Sequence, residues 1–165
     1  MYNTAMRQGD IPGLDERARF EPAFAGYAAR VRASFKKQGA MALIGAELDG
    51  VEPGWCSISL APREALTQQH GYVHAGIVAA IADSAGGYAG FTLFAEDSSV
   101  LTVEFKINLL APATGERLVA QGFVVKPGRT LVITRGEVHA ERAGTRTLVA
   151  LMQQTLMVMR GKADA

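Results

Sequence analysis

The chain has 165 residues, 48% hydrophobic and 20% charged, enough to bury one sizeable core and too few for two ordinary domains. With 17 Lys and Arg against 16 Asp and Glu the formal net charge is +1, so no broad field exists to gather nucleic acid or an anionic membrane, and any anionic ligand must be held locally. A single cysteine, Cys56, excludes an intrachain disulfide framework and, with an N-terminus lacking a charged-then-apolar leader, predicts a reducing, cytoplasmic setting.

From about Asp15 to Lys37 the residues Phe20, Phe24, Tyr27, Ala28, Val31 and Phe35 recur at helical intervals. Arg17, Arg19, Arg30, Arg32, Lys36 and Lys37 take the remaining surface, which predicts an amphipathic helix packed on the core. Short alternating runs, Ala46 to Leu48 and Trp55 to Leu60, flank the turn signals Gly50 and Pro53-Gly54 and suit a hairpin. After a polar loop from Ala61 to His70, the stretch from Gly76 to about Phe94 is apolar on nearly every side and rich in Ala and Gly, as expected of a central helix wrapped closely by another element. Asp83, Glu96 and the glycines argue against reading Ala75 to Ala95 as a membrane span.

The period then changes to two. Leu101, Val103, Phe105, Ile107 and Leu109 alternate with Thr102, Glu104, Lys106 and Asn108, predicting a strand with one apolar face that ends at Ala111-Pro112. Leu118 to Lys126 and Thr130 to Glu141 predict two further strands joined at Pro127-Gly128-Arg129, and a last strand runs from about Thr147 to Met159. One long apolar helix beside about six antiparallel strands indicates an α+β fold in which a curved sheet surrounds a helix.

Asp83 is the foremost candidate for chemistry. An ionised carboxylate buried in an apolar helix costs several kcal/mol unless it is paired, so either it serves as general base or nucleophile, or Asp83-Ser84 caps a second helical stretch. The run Gly71-Tyr72-Val73-His74-Ala75-Gly76 leads into the helix, so the N–H groups of Ala75 and Gly76 are expected as unpaired donors at its positive end, able to polarise a carbonyl. His70 and His74 stand four apart, a metal-ligand spacing on a helix, but Gly71 weakens the helix and no third clustered ligand accompanies them; no metal or cofactor is expected. Cys56 reads as a small core residue, and Glu137, His139 and Glu141 as one solvated face of a strand. Arg129, beside Lys126 in a turn, could reach a phosphate.

The segment His74-Ala75-Gly76-Ile77-Val78-Ala79-Ala80-Ile81-Ala82-Asp83, followed by Val100 to Pro112 and Gly128-Arg129-Thr130, resembles the PaaI-like acyl-CoA thioesterases of the hotdog superfamily, over about residues 45 to 158. The resemblance implies a hotdog domain over 41–160 with residues 1–40 as an N-terminal helical extension. It also implies two subunits pairing their sheets, as a homodimer or homotetramer, with active sites shared across the interface. It assigns activation of water, or direct attack on the thioester, to Asp83. The Ala75 N–H, following the motif residue His74, would hold the thioester oxygen, and Gly76 completes the motif. Gln68 matches an asparagine that orients water or substrate, and Thr102 a hydroxyl that assists. Ala75 stands where the family has the first glycine of a pair. The implied substrate is an acyl-CoA, whose phosphates Lys126 and Arg129 would meet, with no cofactor, nucleic acid or membrane as partner; an acyl-binding protein without turnover is the alternative.

Overall fold

The computed structural model describes residues 19–162. Helix α1 (Tyr27–Lys37) and the short α2 (Gly39–Ile44) lead into the hairpin β1 (Ala46–Glu52) and β2 (Trp55–Leu60). A single 3-10 turn, Glu64–Leu66, precedes the long helix α3 (Ala75–Phe91), and β3 (Ser99–Leu109), β4 (Arg117–Lys126), β5 (Leu131–Arg142) and β6 (Thr145–Met159) follow. The strands form one antiparallel sheet in the order β1-β2-β4-β5-β6-β3, and α3 touches all six of them. The predicted α+β sheet around a central helix is therefore present. No helix among the described residues is long and apolar enough to cross a membrane.

The amphipathic N-terminal helix is shorter than its periodicity suggested. It starts at Tyr27, and residues 19–26 are not helical, because Pro22 disfavours helix in the residue before it and Gly26 forms the N-cap; the expected stretch from Asp15 to Ala18 lies outside the described residues. Arg30, expected on the helix surface, is half-buried. Its guanidinium donates to the carbonyls of Phe91 (2.7 Å), Phe94 (2.9 Å) and Ala95 (2.6 Å) at the end of α3 and lies 4.0 Å from the Phe91 ring centre. A cation is favourable at that negative helix end, so Arg30 pins α1 along α3.

The contact between α3 and the sheet depends on residues without side chains. At Gly122 on β4 a Cβ would stand 2.5 Å from the Gly86 nitrogen and closer still to the Ala85 carbonyl, so only glycine lets strand and helix backbones meet.

Strand β3 departs from the single apolar face expected of it. Its pairing with β6 slips between Thr102 and Glu104, a bulge that adds Val103 to the strand. Val100 packs against the core and Thr102 turns toward α3, while beyond the bulge Ile107 resumes core packing. The bulge thus re-aims Thr102 inward. As a sheet edge, β3 leaves Leu101 (56%), Val103 (54%), Phe105 (46%) and Leu109 (54%) exposed.

The outer face of β5 is less solvated than its alternation suggested. His139 is buried there, with its Nδ1 3.3 Å from Arg146 Nη2, and Arg135 pairs with Glu137 at 3.2 Å. A guanidinium can only donate, so Nδ1 accepts and Nε2 carries the proton. Burial, and secondarily the Arg146 charge, push His139 down from 6.5 to about 4. The unfolded chain therefore takes up this proton before the folded one, and stability falls as pH drops from about 6.5 through about 4. Allowing for solvent screening, we expect a loss of about 1–2 kcal/mol. Urea unfolding at pH 7 and pH 4.5 should show this loss in the wild type and a smaller one in His139→Gln; equal losses in both would refute it.

Candidate active site

Asp83 lies in the middle of α3, two turns in from its N-terminus, where the helix faces the end of β3 that the bulge has turned. Thr102 Oγ1 donates to Asp83 Oδ1 at 2.7 Å. Gln154 Nε2, from the neighbouring β6, donates to the same oxygen and, at 3.1 Å, to the Asp83 backbone carbonyl. The Gln154 carbonyl accepts in turn from Thr134 Oγ1 at 2.7 Å. Oδ1 is thus held by two donors, and no hydrogen bond reaches Oδ2 from the described residues. A carboxylate fixed through one oxygen and open at the other is placed to take a proton or to attack.

Gln154 was not foreseen, although the sequence carries a signal for it. On β6 the inward positions read Ala150, Met152, Gln154, Leu156 and Val158, one amide in an apolar file. A buried amide without partners costs too much to be accidental, and Gln154, 1% exposed, satisfies its polar atoms on Asp83 and Thr134.

The other face of the chemistry lies at the start of α3. His74 is the N-cap, and its Nδ1 accepts the Gly76 N–H at 2.9 Å. This corrects the expectation of two unpaired amides: Gly76 is occupied, Ile77 and Val78 donate to the His74 carbonyl, and the Ala75 N–H has no partner among the described residues. Gln68 folds back on its own turn, its side-chain carbonyl accepting the His70 N–H, while the isolated bridge between Thr67 and Val73 closes the loop. Its amide NH2 has no hydrogen-bond partner among the described residues. His70 is exposed in a turn next to Gly71 (φ +81°), so His70 and His74 share no helix face, and among the described residues no group of three or more His, Cys, Asp and Glu could hold a metal.

A cavity of about 260 Å³ opens beside Asp83 and Thr102 between α1, α3 and the start of β3. Gln68, His74, Ala75 and Gly76 do not line it. Asp83 and Ala75 are eight residues apart on one helix, about 12 Å along its axis at 1.5 Å per residue. One substrate carbonyl cannot lie within hydrogen-bond reach of the Ala75 N–H and of the Asp83 carboxylate of the same chain.

Lys126 and Arg129 are exposed at the β4–β5 turn, where Arg160 Nη2 donates to the Arg129 carbonyl at 3.1 Å. Three cations thus gather at the end of the sheet where β6 finishes and β3 begins. Cys56 is fully buried on β2, and desolvation drives its thiol well above its ordinary value, so it takes no part in nucleophilic chemistry.

Residues 70–146 match the thioesterase superfamily. A thioesterase family protein from Silicibacter pomeroyi is 49% identical with a TM-score of 0.81, the likeness covering 82% of this chain and 100% of that one. A Saccharolobus solfataricus protein whose name proposes an esterase is 34% identical over 90 residues, 54% of this chain; the chain spans 59% of that relative's length. The E. coli PaaI protein from the phenylacetic acid degradation operon shares the fold at 16% identity, with a TM-score of 0.74 over 83% of this chain and 96% of that one. Together with the helix-centred six-stranded sheet, these likenesses establish that the chain belongs to the thioesterase superfamily and has its hotdog fold.

Proposed function

We propose that the protein hydrolyses an acyl-CoA thioester to the free acid and CoA, at a site completed by a second copy of the chain. The observation that carries this reading is the Asp83 carboxylate, held through Oδ1 by Thr102 and Gln154 with Oδ2 open beside a cavity. Acting as base, Asp83 takes a proton from water as the water oxygen bonds to the thioester carbon. The carbonyl oxygen gains negative charge against a backbone N–H, and the carbon–sulfur bond then breaks to release the CoA thiol with the proton. Acting as nucleophile, Asp83 Oδ2 bonds to the thioester carbon, the carbon–sulfur bond breaks and CoA leaves as the thiolate. Water then opens the acyl anhydride to the free acid, restoring the Asp83 carboxylate and supplying the proton that the thiolate takes up.

Supply of that N–H by the partner's helix start is supported by the roughly 12 Å axial separation within one chain. The edge strand β3 supports it too, since its unpaired backbone groups and exposed apolar side chains suit pairing with another copy. Ala75 and Gln68 would then act on the substrate that the partner's Asp83 attacks, while Lys126 and Arg129 would meet the CoA phosphates as charge-assisted donors.

Subunit complementation tests this reading. Ala75 is the first helical residue, and His74 already has φ −58° and ψ 139°, the conformation a following proline requires. Ala75→Pro should therefore fold, yet remove the amide donor and lower thiol release by about 10²–10³. Asp83→Asn should also be inactive as a homodimer. Mixed dimers of the two keep one site with both groups intact, so a refolded equimolar mixture should recover roughly a quarter of wild-type activity. Recovery of none, with mixed dimers confirmed, would place each site within one chain. Tight acyl-CoA binding by a wild type that releases no thiol would return the non-catalytic binding reading.

A further inference from the structure

The cavity beside Asp83 is small and changes character along its length. Asp83 and Thr102 line one part of it; elsewhere Ser34 of α1 and Gln38 at its C-cap meet Tyr88 of α3, and Lys37, which also lines the cavity, is an exposed side chain. Gln38 Nε2 donates to the Tyr88 hydroxyl at 2.9 Å, Ser34 Oγ lies 3.2 Å from the same hydroxyl, and Ser84 Oγ donates to the Gln38 carbonyl at 3.3 Å. Tyr88 is five residues beyond Asp83, about 7.5 Å along the helix, and Gly87 between them leaves the lumen open. At about 260 Å³ the space that one chain encloses lies below the ~300–1,000 Å³ usual for drug-sized ligands, so the part closed by α1 and α3 suits the end of a short chain and not a long fatty tail. A pocket for an alkyl terminus would end in Leu, Ile or Phe side chains. This one ends in two hydroxyls and an amide.

Resting on the thioesterase reading above, we propose that Ser34, Gln38 and Tyr88 form the specificity-determining end of the acyl pocket, and that the acyl group is short and bears a neutral oxygen, a hydroxyl, at its far end. A hydroxyl there can insert among groups that both donate and accept. A methyl in its place must separate them from solvent without replacing any hydrogen bond. Because the three side chains already bond to one another, discrimination should be moderate, about tenfold or somewhat more, below the 10⁴–10⁵ reached where a missing hydroxyl strands buried groups.

The test compares ω-hydroxypentanoyl-CoA, its methyl isostere hexanoyl-CoA, and glutaryl-CoA on the wild type, Tyr88→Phe and Gln38→Leu. We expect kcat/KM for the hydroxy ester to exceed that for hexanoyl by about tenfold in the wild type, and the ratio to fall toward one in both variants. The ratio is internal to each variant, so partial loss of folding does not mimic it, and Tyr88→Phe keeps the ring that packs edge-on to Phe35. A wild type that favours hexanoyl, or an unchanged ratio in the variants, would overturn the proposal. A preference for glutaryl would overturn it in favour of an anionic terminus. Calorimetric Kd values for the matching non-hydrolysable CoA thioethers read the same preference without turnover. Absence of thiol release from every ester would then remove the hydrolytic reading alone, while equal Kd values would remove this proposal alone.

Discussion

Asp83→Asn is expected to lower kcat for thiol release by about 10³-fold, within the range for loss of a positioned base, while KM changes little. Asparagine keeps an oxygen where Oδ1 accepts from Thr102 and Gln154, so both donors stay satisfied and the helix stays docked. What it removes is the basic, nucleophilic oxygen at Oδ2. Asp83→Ala should behave differently, because it leaves the buried Gln154 amide without its carboxylate partner, at a cost of about 1–3 kcal/mol in stability besides the loss of turnover. Steady-state thiol release from a panel of aliphatic and aromatic acyl-CoA esters, with urea unfolding of both variants, separates chemistry from folding. Turnover by Asp83→Asn within a few-fold of wild type would sink the assignment.

Gly122→Ala should be strongly destabilising for a change of a single methyl group. The added carbon would overlap the Ala85 carbonyl and stand 2.5 Å from the Gly86 nitrogen, so it meets main chain on a helix that cannot rotate a side chain away. Strand β4 sits between β2 and β5 and cannot retreat without breaking both ladders. Overpacking against fixed backbone should cost about 3 kcal/mol or more, a large part of the 5–15 kcal/mol that holds a domain together. The melting temperature should fall by roughly 10 °C. Gly39→Ala, at the start of α2 with no atom within 4 Å of the added carbon, is the matched control and should be neutral or slightly stabilising. Similar melting of the two variants would mean that helix and sheet do not approach as closely as described.

The strand and helix order was legible because burial on one side or on all sides leaves a period in the chain, and β2, α3 and the last four strands lie within two or three residues of where their alternation ended. Asp83 was legible for the same reason, as one carboxylate in an apolar helix. Periodicity could not convey the β3 bulge, since a single extra residue appears only as a slip against the partner strand; that slip turns Thr102 onto Asp83 and divides the expected apolar face. Gln154 and Thr134 stood in plain view as polar residues in inward files, but their partners are 71 and 20 residues distant in the chain, and only sheet pairing brings them together. The amide of Gly76 looked as free as that of Ala75 until the His74 ring closed over it, a matter of one side-chain rotamer. Local patterning by itself determined what each segment would become, because each segment must bury its own apolar side. Which polar atoms meet was decided by the tertiary structure, because hydrogen bonds act over about 3 Å and depend on register, bulge and rotamer, none of which is written in any one segment.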